Sequence, residues 1–299
     1  MLTSPIVRAC YNQGSTVHYL TKAPFKPLLE NNPYLDKVWT LEDKVSDLSR
    51  EDYDLIIDLH KNLRSRTYIL KLRKKSVSFA KLNLAKWWKV RNKKFTLPDL
   101  HIVDRMFRNL SPYGIKNDGK GLDFFISDVE KEKARELLPV NPYVCLVLGA
   151  NYYTKRIPSE ISEKIVMISP LPVVLIGGKD VQDSGGRLAD LFPDKVHNLC
   201  GQASIGISAA ILARAWHVVT GDTGMMHISA ALQRPISVLW GSTVPAFGMG
   251  PYYGENELAP IHMEVKKLSC RPCSKLGHNH CPQGHFKCMM NQNVEEVFG

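Results

Sequence analysis

Four short, mostly apolar runs in the second half of the chain each end in small residues, among them a glycine. They are YVCLVLGA (143–150), VVLIGG (173–178), HVVTG (217–221) and ISVLWGST (236–243). Runs of this length suit strands, and the segments between them carry the apolar spacing of helices. Strand followed by helix, repeated, closes only as a parallel sheet with helices on its faces, so the fold class is α/β. Strands are expected at Thr16–Leu20, Leu55–Leu59, Tyr143–Leu148, Val173–Ile176, His217–Thr220 and Ile236–Leu239.

Near Leu138-Pro-Val-Asn-Pro142 the text changes from a charged helix, VEKEKARELL, to a buried strand, with two prolines that cannot continue a helix. A boundary there predicts two domains, 1–138 and 139–299. With 299 residues and 44% hydrophobic composition, both can bury a core. No apolar run is long enough to span a bilayer, and the first residues lack the layout of a secretion signal. The expected location is therefore cytoplasmic.

The net charge of +10 is concentrated in one place. Between Lys61 and Lys94 stand 13 Lys or Arg and no Asp or Glu, and outside that stretch 26 basic residues face 29 acidic ones. Tyr68, Phe79, Trp87 and Trp88 are interleaved with the cations. Such a segment is a solvated face or an anion-binding surface, and indoles among lysines suit a lipid headgroup region. A nucleic-acid partner is not expected, because recognised nucleic-acid motifs are absent and the charge is confined to one segment.

The chemistry collects where strands end. In open parallel sheets ligands bind beyond the carboxyl ends of the strands. Three such ends carry Gly149-Ala-Asn-Tyr-Tyr-Thr-Lys155, Gly177-Gly-Lys-Asp180 and Gly221-Asp-Thr-Gly224. At the last of these a helix begins, so N–H groups from about Gly224 to His227 are expected free, with the helix dipole behind them. That suits a phosphate, with Lys155 supplying a full charge and His227 within reach of the same ligand. Asp222 would repel phosphate. It would instead cap the helix or accept sugar hydroxyls.

These residues carry a resemblance. The run NLCGQASIGISAAILARAWHVVTGDTGMMHISAALQRPISVLWGSTVPAFGMGPYY resembles the carboxy-terminal signature of glycosyltransferase family 9, the heptosyltransferases of lipopolysaccharide core assembly. HYLTKAPFKPLLENNPYLDKVW and YDLIIDLHKNLRSR are similar to that family's amino-terminal domain. The resemblance implies a GT-B fold: two Rossmann-like domains facing a cleft, the first for the acceptor and the second for a nucleotide diphosphate sugar. It implies that Asp222, Thr223, Gly224 and His227 line the donor, that Lys155 neutralises the leaving diphosphate, and that Thr243, Ser242 and Asp180 or Asp183 contact the nucleotide. Asp58, His60 and Arg64 are candidates for acceptor binding.

The implied partners are the donor, an acidic lipid-linked glycan acceptor and the cytoplasmic face of the inner membrane, held peripherally. Family members normally begin with a strand and a glycine-aspartate loop whose aspartate is the general base. Here Met1-Leu-Thr-Ser-Pro-Ile-Val-Arg8 stands where that loop would already have passed, so the base is unassigned. The expectation is a chain lacking its first strand, with a noncatalytic nucleotide-sugar-binding or truncated inactive homologue as the alternative reading.

Of seven cysteines, Cys10, Cys145 and Cys200 are scattered, whereas Cys270, Cys273, Cys281 and Cys288 cluster among His278, His280 and His285. A C-x2-C pair followed by two more cysteines can hold a structural zinc, although the second pair is spaced by six residues rather than two. Reduced thiols and disulfides are the other readings. The resemblance attaches no metal to this block, and transfer itself would require none.

Overall fold

The computed structural model describes residues 1–138 and 141–299. In the first half α1 (Ser4–Asn12), β1 (His18–Thr21), β2 (Lys37–Thr40), α2 (Val45–Ser49), β3 (Ile56–Asp58), α3 (Leu63–Leu72), β4 (Ser76–Ser78), α4 (Asn83–Arg91) and α5 (Ile102–Leu110) follow in order. β1 pairs in parallel with β2, and β3 with β4, as two separate two-stranded sheets. Arg8, 2% exposed, anchors α1: its guanidinium bonds Asp118 at 2.8 Å, pairs with Asp123 and donates to the Gly121 carbonyl at 2.9 Å.

The second half runs α6 (Asp128–Leu137), β5 (Val144–Val147), α7 (Ser159–Ile168), β6 (Val173–Ile176), α8 (Gln182–Leu191), β7 (Val196–Asn198), α9 (Ile205–Leu212), β8 (His217–Gly221), α10 (Gly224–Ala231), β9 (Ile236–Trp240), β10 (Ile261–Glu264) and α11 (Lys287–Met290). Its strands form one parallel six-stranded sheet in the order β10-β9-β8-β5-β6-β7. β5, β6, β8 and β9 are buried along their whole length, as strands covered by helices on both faces must be. From β5 the chain proceeds outward through β6 and β7, then returns to the other side of β5 with β8. Order therefore reverses between β5 and β8, and a crevice opens beyond their carboxyl ends.

All six expected strands are present within two residues of their bounds. β2, β4, β7 and β10 were not expected. KVWT, SVS, VHN and IHME are three or four residues long and mix polar with apolar side chains, so they give no strong period. Residues 139 and 140, where the second domain was expected to start, lie outside the described residues. Just before them α6 lies against α9: a Cβ on Gly206 would collide with the Glu130 carboxylate, so glycine lets the helices touch. His197 Nε2 also meets the Leu137 carbonyl at 2.9 Å, tying the end of α6 to β7.

Candidate functional site

The crevice at the strand reversal is where the sequence-predicted residues meet. After β5 the chain turns through a 3-10 turn, Tyr153–Lys155, that lies across the ends of β8 and β9. Two glycines permit this. A Cβ on Gly221 would strike the Lys155 carbonyl, and one on Gly241 the Thr154 carbonyl. Lys155 is thereby delivered to Asp222, with Nζ 2.7 Å from Oδ2 and each side chain 15% exposed. Thr243, which follows β9, donates its hydroxyl to the same Oδ2 at 2.8 Å. Side chains from three strand ends thus converge on one carboxylate oxygen.

Asp222 does not cap α10. Thr223 does: it has extended backbone geometry, and its Oγ1 accepts the Met226 N–H at 3.4 Å. The carboxylate is drawn away by Lys155 and Thr243, whose charge-assisted bonds outweigh a neutral cap. One of the N–H groups expected free, that of Met226, is therefore used, while Gly224 at the helix start is exposed. His227 is half-buried, and its Nδ1 is shielded from solvent and unbonded. Burial pushes the ring down to about 4 against the opposing pull of Asp222, so it is neutral at pH 7.

The turn carrying Lys155 is held from below. Thr154, 1% exposed, donates its hydroxyl to Ser242 Oγ at 2.9 Å and accepts the His278 N–H at 2.8 Å. Arg271 was not foreseen, and it does the most to fix the loop after β9. Nε donates to the Gly241 carbonyl at 2.8 Å and Nη2 to the Thr243 carbonyl at 2.9 Å, while Nη1 pairs with Glu264 at 2.7 Å. Its only sequence signal is its place inside the C-R-P-C block, where the cysteines draw the eye.

The other candidates are placed less centrally. Asp180 pairs with Arg156, and Asp183 stands in the first turn of α8. Asp58 is buried and committed to the turn into α3: Oδ1 accepts the N–H groups of His60 and Lys61 at 3.0 and 2.7 Å, and Oδ2 the Ser65 hydroxyl at 2.8 Å. The side chains of His60 and Arg64 are exposed. Cys270, Cys273, Cys281 and Cys288 carry free thiols, and Cys270 Sγ lies 3.9 Å from His285 Nε2. Among the described residues no group of three or more His, Cys, Asp or Glu is arranged to hold a metal ion, and of the three readings left open for the block the free thiols match the reduced one. The block acts instead as a brace: besides the bonds from Arg271, Cys273 N–H donates to the Ser242 carbonyl at 3.2 Å.

Residues 45–277 match the family model described as glycosyltransferase family 9 (heptosyltransferase). Lipooligosaccharide heptosyltransferase 2 of Haemophilus influenzae is 29% identical over 125 residues, covering 39% of this chain and 36% of that protein. The chain spans between 23% and 50% of the length of the curated relatives it matches. The glycosyl transferase family 9 structure from Veillonella parvula superposes with a TM-score of 0.75 at 19% identity, covering 99% of this chain and 90% of that one. E. coli ADP-heptose lps heptosyltransferase II gives 0.67 at 16% identity, covering 97% and 93%. These neighbours share the expected GT-B fold. With its family model matched over most of its length, the chain belongs to glycosyltransferase family 9.

Proposed function

We propose that the chain transfers a heptose or related sugar from a nucleotide diphosphate donor, of the ADP-heptose kind, to a hydroxyl of a lipopolysaccharide core or similar cell-surface glycan. The observation that carries this reading is the convergence of Lys155, Asp222 and Thr243 beyond β5, β8 and β9 at the strand reversal. In transfer the acceptor hydroxyl gives its proton to a base and its oxygen bonds to the anomeric carbon as that carbon's bond to the diphosphate breaks, so negative charge grows on the departing phosphate. Lys155 and the free N–H groups around Gly224 face that charge, where a fixed cation is worth most. Lys155 is held by Asp222 until a diphosphate arrives. Its transfer to the phosphate releases an Asp222 oxygen to accept sugar hydroxyls, and Thr243, Thr223 and neutral His227 line the same space.

The two halves are read as domains, 1–138 for the acceptor and 139–299 for the donor, with Asp58, His60 and Arg64 on the acceptor side. No described helix is long and apolar enough to cross a membrane. We place the protein peripherally on an anionic cytoplasmic membrane face through α3 and α4. Leu63 and Leu70 on α3, and Leu84, Trp87 and Trp88 on α4, are exposed among the basic residues of the 61–94 segment. The test is to incubate the protein with ADP-heptose and a lipopolysaccharide core lacking its next sugar, reading ADP release and the mass of the glycan. One added heptose per ADP supports the proposal. Absence of both across a panel of nucleotide diphosphate sugars and core acceptors overturns it.

A further inference from the structure

On α4 and α5 lie two buried cations that form no ion pair among the described residues. Arg105 on α5 is 6% exposed, and none of its three guanidinium nitrogens, all shielded from solvent, has a hydrogen-bond partner. Lys86 on α4 is also 6% exposed, and among the described residues its ammonium enters no hydrogen bond or ion pair; the Phe247 ring lies 5.7 Å away. The carboxylates of Asp104, next to Arg105 in sequence, and of Asp222, whose charge reaches Lys86, are already engaged. Asp104 accepts from Tyr252 at 2.6 Å and Asn117 at 3.0 Å, and Asp222 from Lys155 and Thr243.

Burial depresses both cations, Lys86 to about 8; the charges of Arg105 and Lys275 press further on Lys86, and those of Arg105 and Lys86 press on His101. A paired buried cation is ordinary, but an unpaired buried guanidinium is costly and persists only where something compensates it. A guanidinium with every donor free matches the two oxygens of a carboxylate or phosphate.

We infer that Lys86 and Arg105 form an anion site for a phosphate or carboxylate carried by the acceptor glycan, facing the donor pocket from the first half of the chain. This rests on the transferase reading for the identity of the ligand, though not for the existence of the site. The donor diphosphate has its own cation in Lys155, and Lys86 approaches Asp222 closely enough to feel its charge, so the two anions would lie on either side of the reacting centre. Because no Arg105 nitrogen is open to solvent, an anion enters only as the surrounding residues part, and once bound it holds them together.

The experiment is a melting-temperature titration of the full chain with inorganic phosphate, and separately with acetate, in saturating ADP and with chloride matching the ionic strength. Wild-type protein should show a saturable rise above the chloride control with at least one anion. Arg105→Met and Lys86→Met should lose that rise while keeping the response to ADP. Which anion acts distinguishes a phosphate from a carboxylate. Since each substitution removes an unpaired buried charge, neither should lower the melting temperature of the anion-free protein, whereas loss of a structural contact would. A rise equal in wild type and both variants, or none with either anion, overturns the inference. If one variant fails to fold, the other decides. If ADP gives no response while the anion rise still depends on Arg105, the anion site stands and the donor reading falls.

Discussion

At the scale of single residues, the site is a set of compensated charges whose members were unequally visible. Lys155, Asp222 and Thr243 follow strands that read plainly, so their nearness could be expected before any coordinates. Arg271 could not: its partners Gly241, Thr243 and Glu264 are brought to it by the sheet, not by local sequence. Arg271→Met should leave one carboxylate and two carbonyls without their bonds and destabilise the protein by about 3–5 kcal/mol in urea denaturation. Arg271→Lys should rescue little, because an ammonium cannot span three acceptors in a plane. Stability unchanged in both variants would remove Arg271 from its bracing role. Asp222 was expected to cap the helix or to accept sugar hydroxyls, and only the first of these is overturned. Thr223 holds the cap because Lys155 and Thr243 offer the carboxylate stronger partners.

At the scale of elements, the carboxyl end of the sheet depends on close backbone approach. Gly221→Ala should push a methyl group into the Lys155 carbonyl and cost about 1–3 kcal/mol, while lowering affinity for a nucleotide diphosphate because Lys155 is displaced. Equal stability and affinity in the variant would mean that the turn has room to move. β8 carries a second dependence. Ser237 Oγ donates to the Val297 carbonyl at 2.5 Å, so its hydroxyl accepts from His217 Nε2 at 2.8 Å, fixing a neutral ring with its proton on Nε2.

Burial lowers His217 to about 4 from 6.5, as it lowers His101 and His227. The unfolded chain takes up these protons first, so stability present above about pH 6.5 should drain away as pH falls toward 4. Urea melts at pH 7 and pH 5 should show the loss, and His217→Gln should reduce the difference; an identical difference would exclude His217 as a contributor. The long apolar strands were legible because burial on both faces leaves a continuous signature. β2, β4, β7 and β10 were not, because three or four residues at a sheet edge or in an isolated pair need carry no periodic pattern.

At the scale of the whole molecule, the first half is basic and aromatic-bearing and the second gathers the groups we propose to hold the donor, and composition alone had placed the charge. What composition could not show was that some cations turn inward: Lys86 belongs to the same basic segment as the exposed lysines, yet it is buried, as is Arg105 on α5. The remaining cations, with the apolar residues of α3 and α4, should bind vesicles containing anionic lipid at low salt and release them as salt rises. Binding indifferent to salt and to lipid charge would contradict a peripheral role for this surface. The role of the strand reversal as the donor pocket is tested most directly by calorimetric titration of ADP into wild-type protein and Lys155→Ala. Wild type should bind, and the variant should bind at least about tenfold more weakly, a loss of about 1.4 kcal/mol, with its melting temperature in the absence of ligand little changed. Equal affinity in the two proteins would place the diphosphate elsewhere.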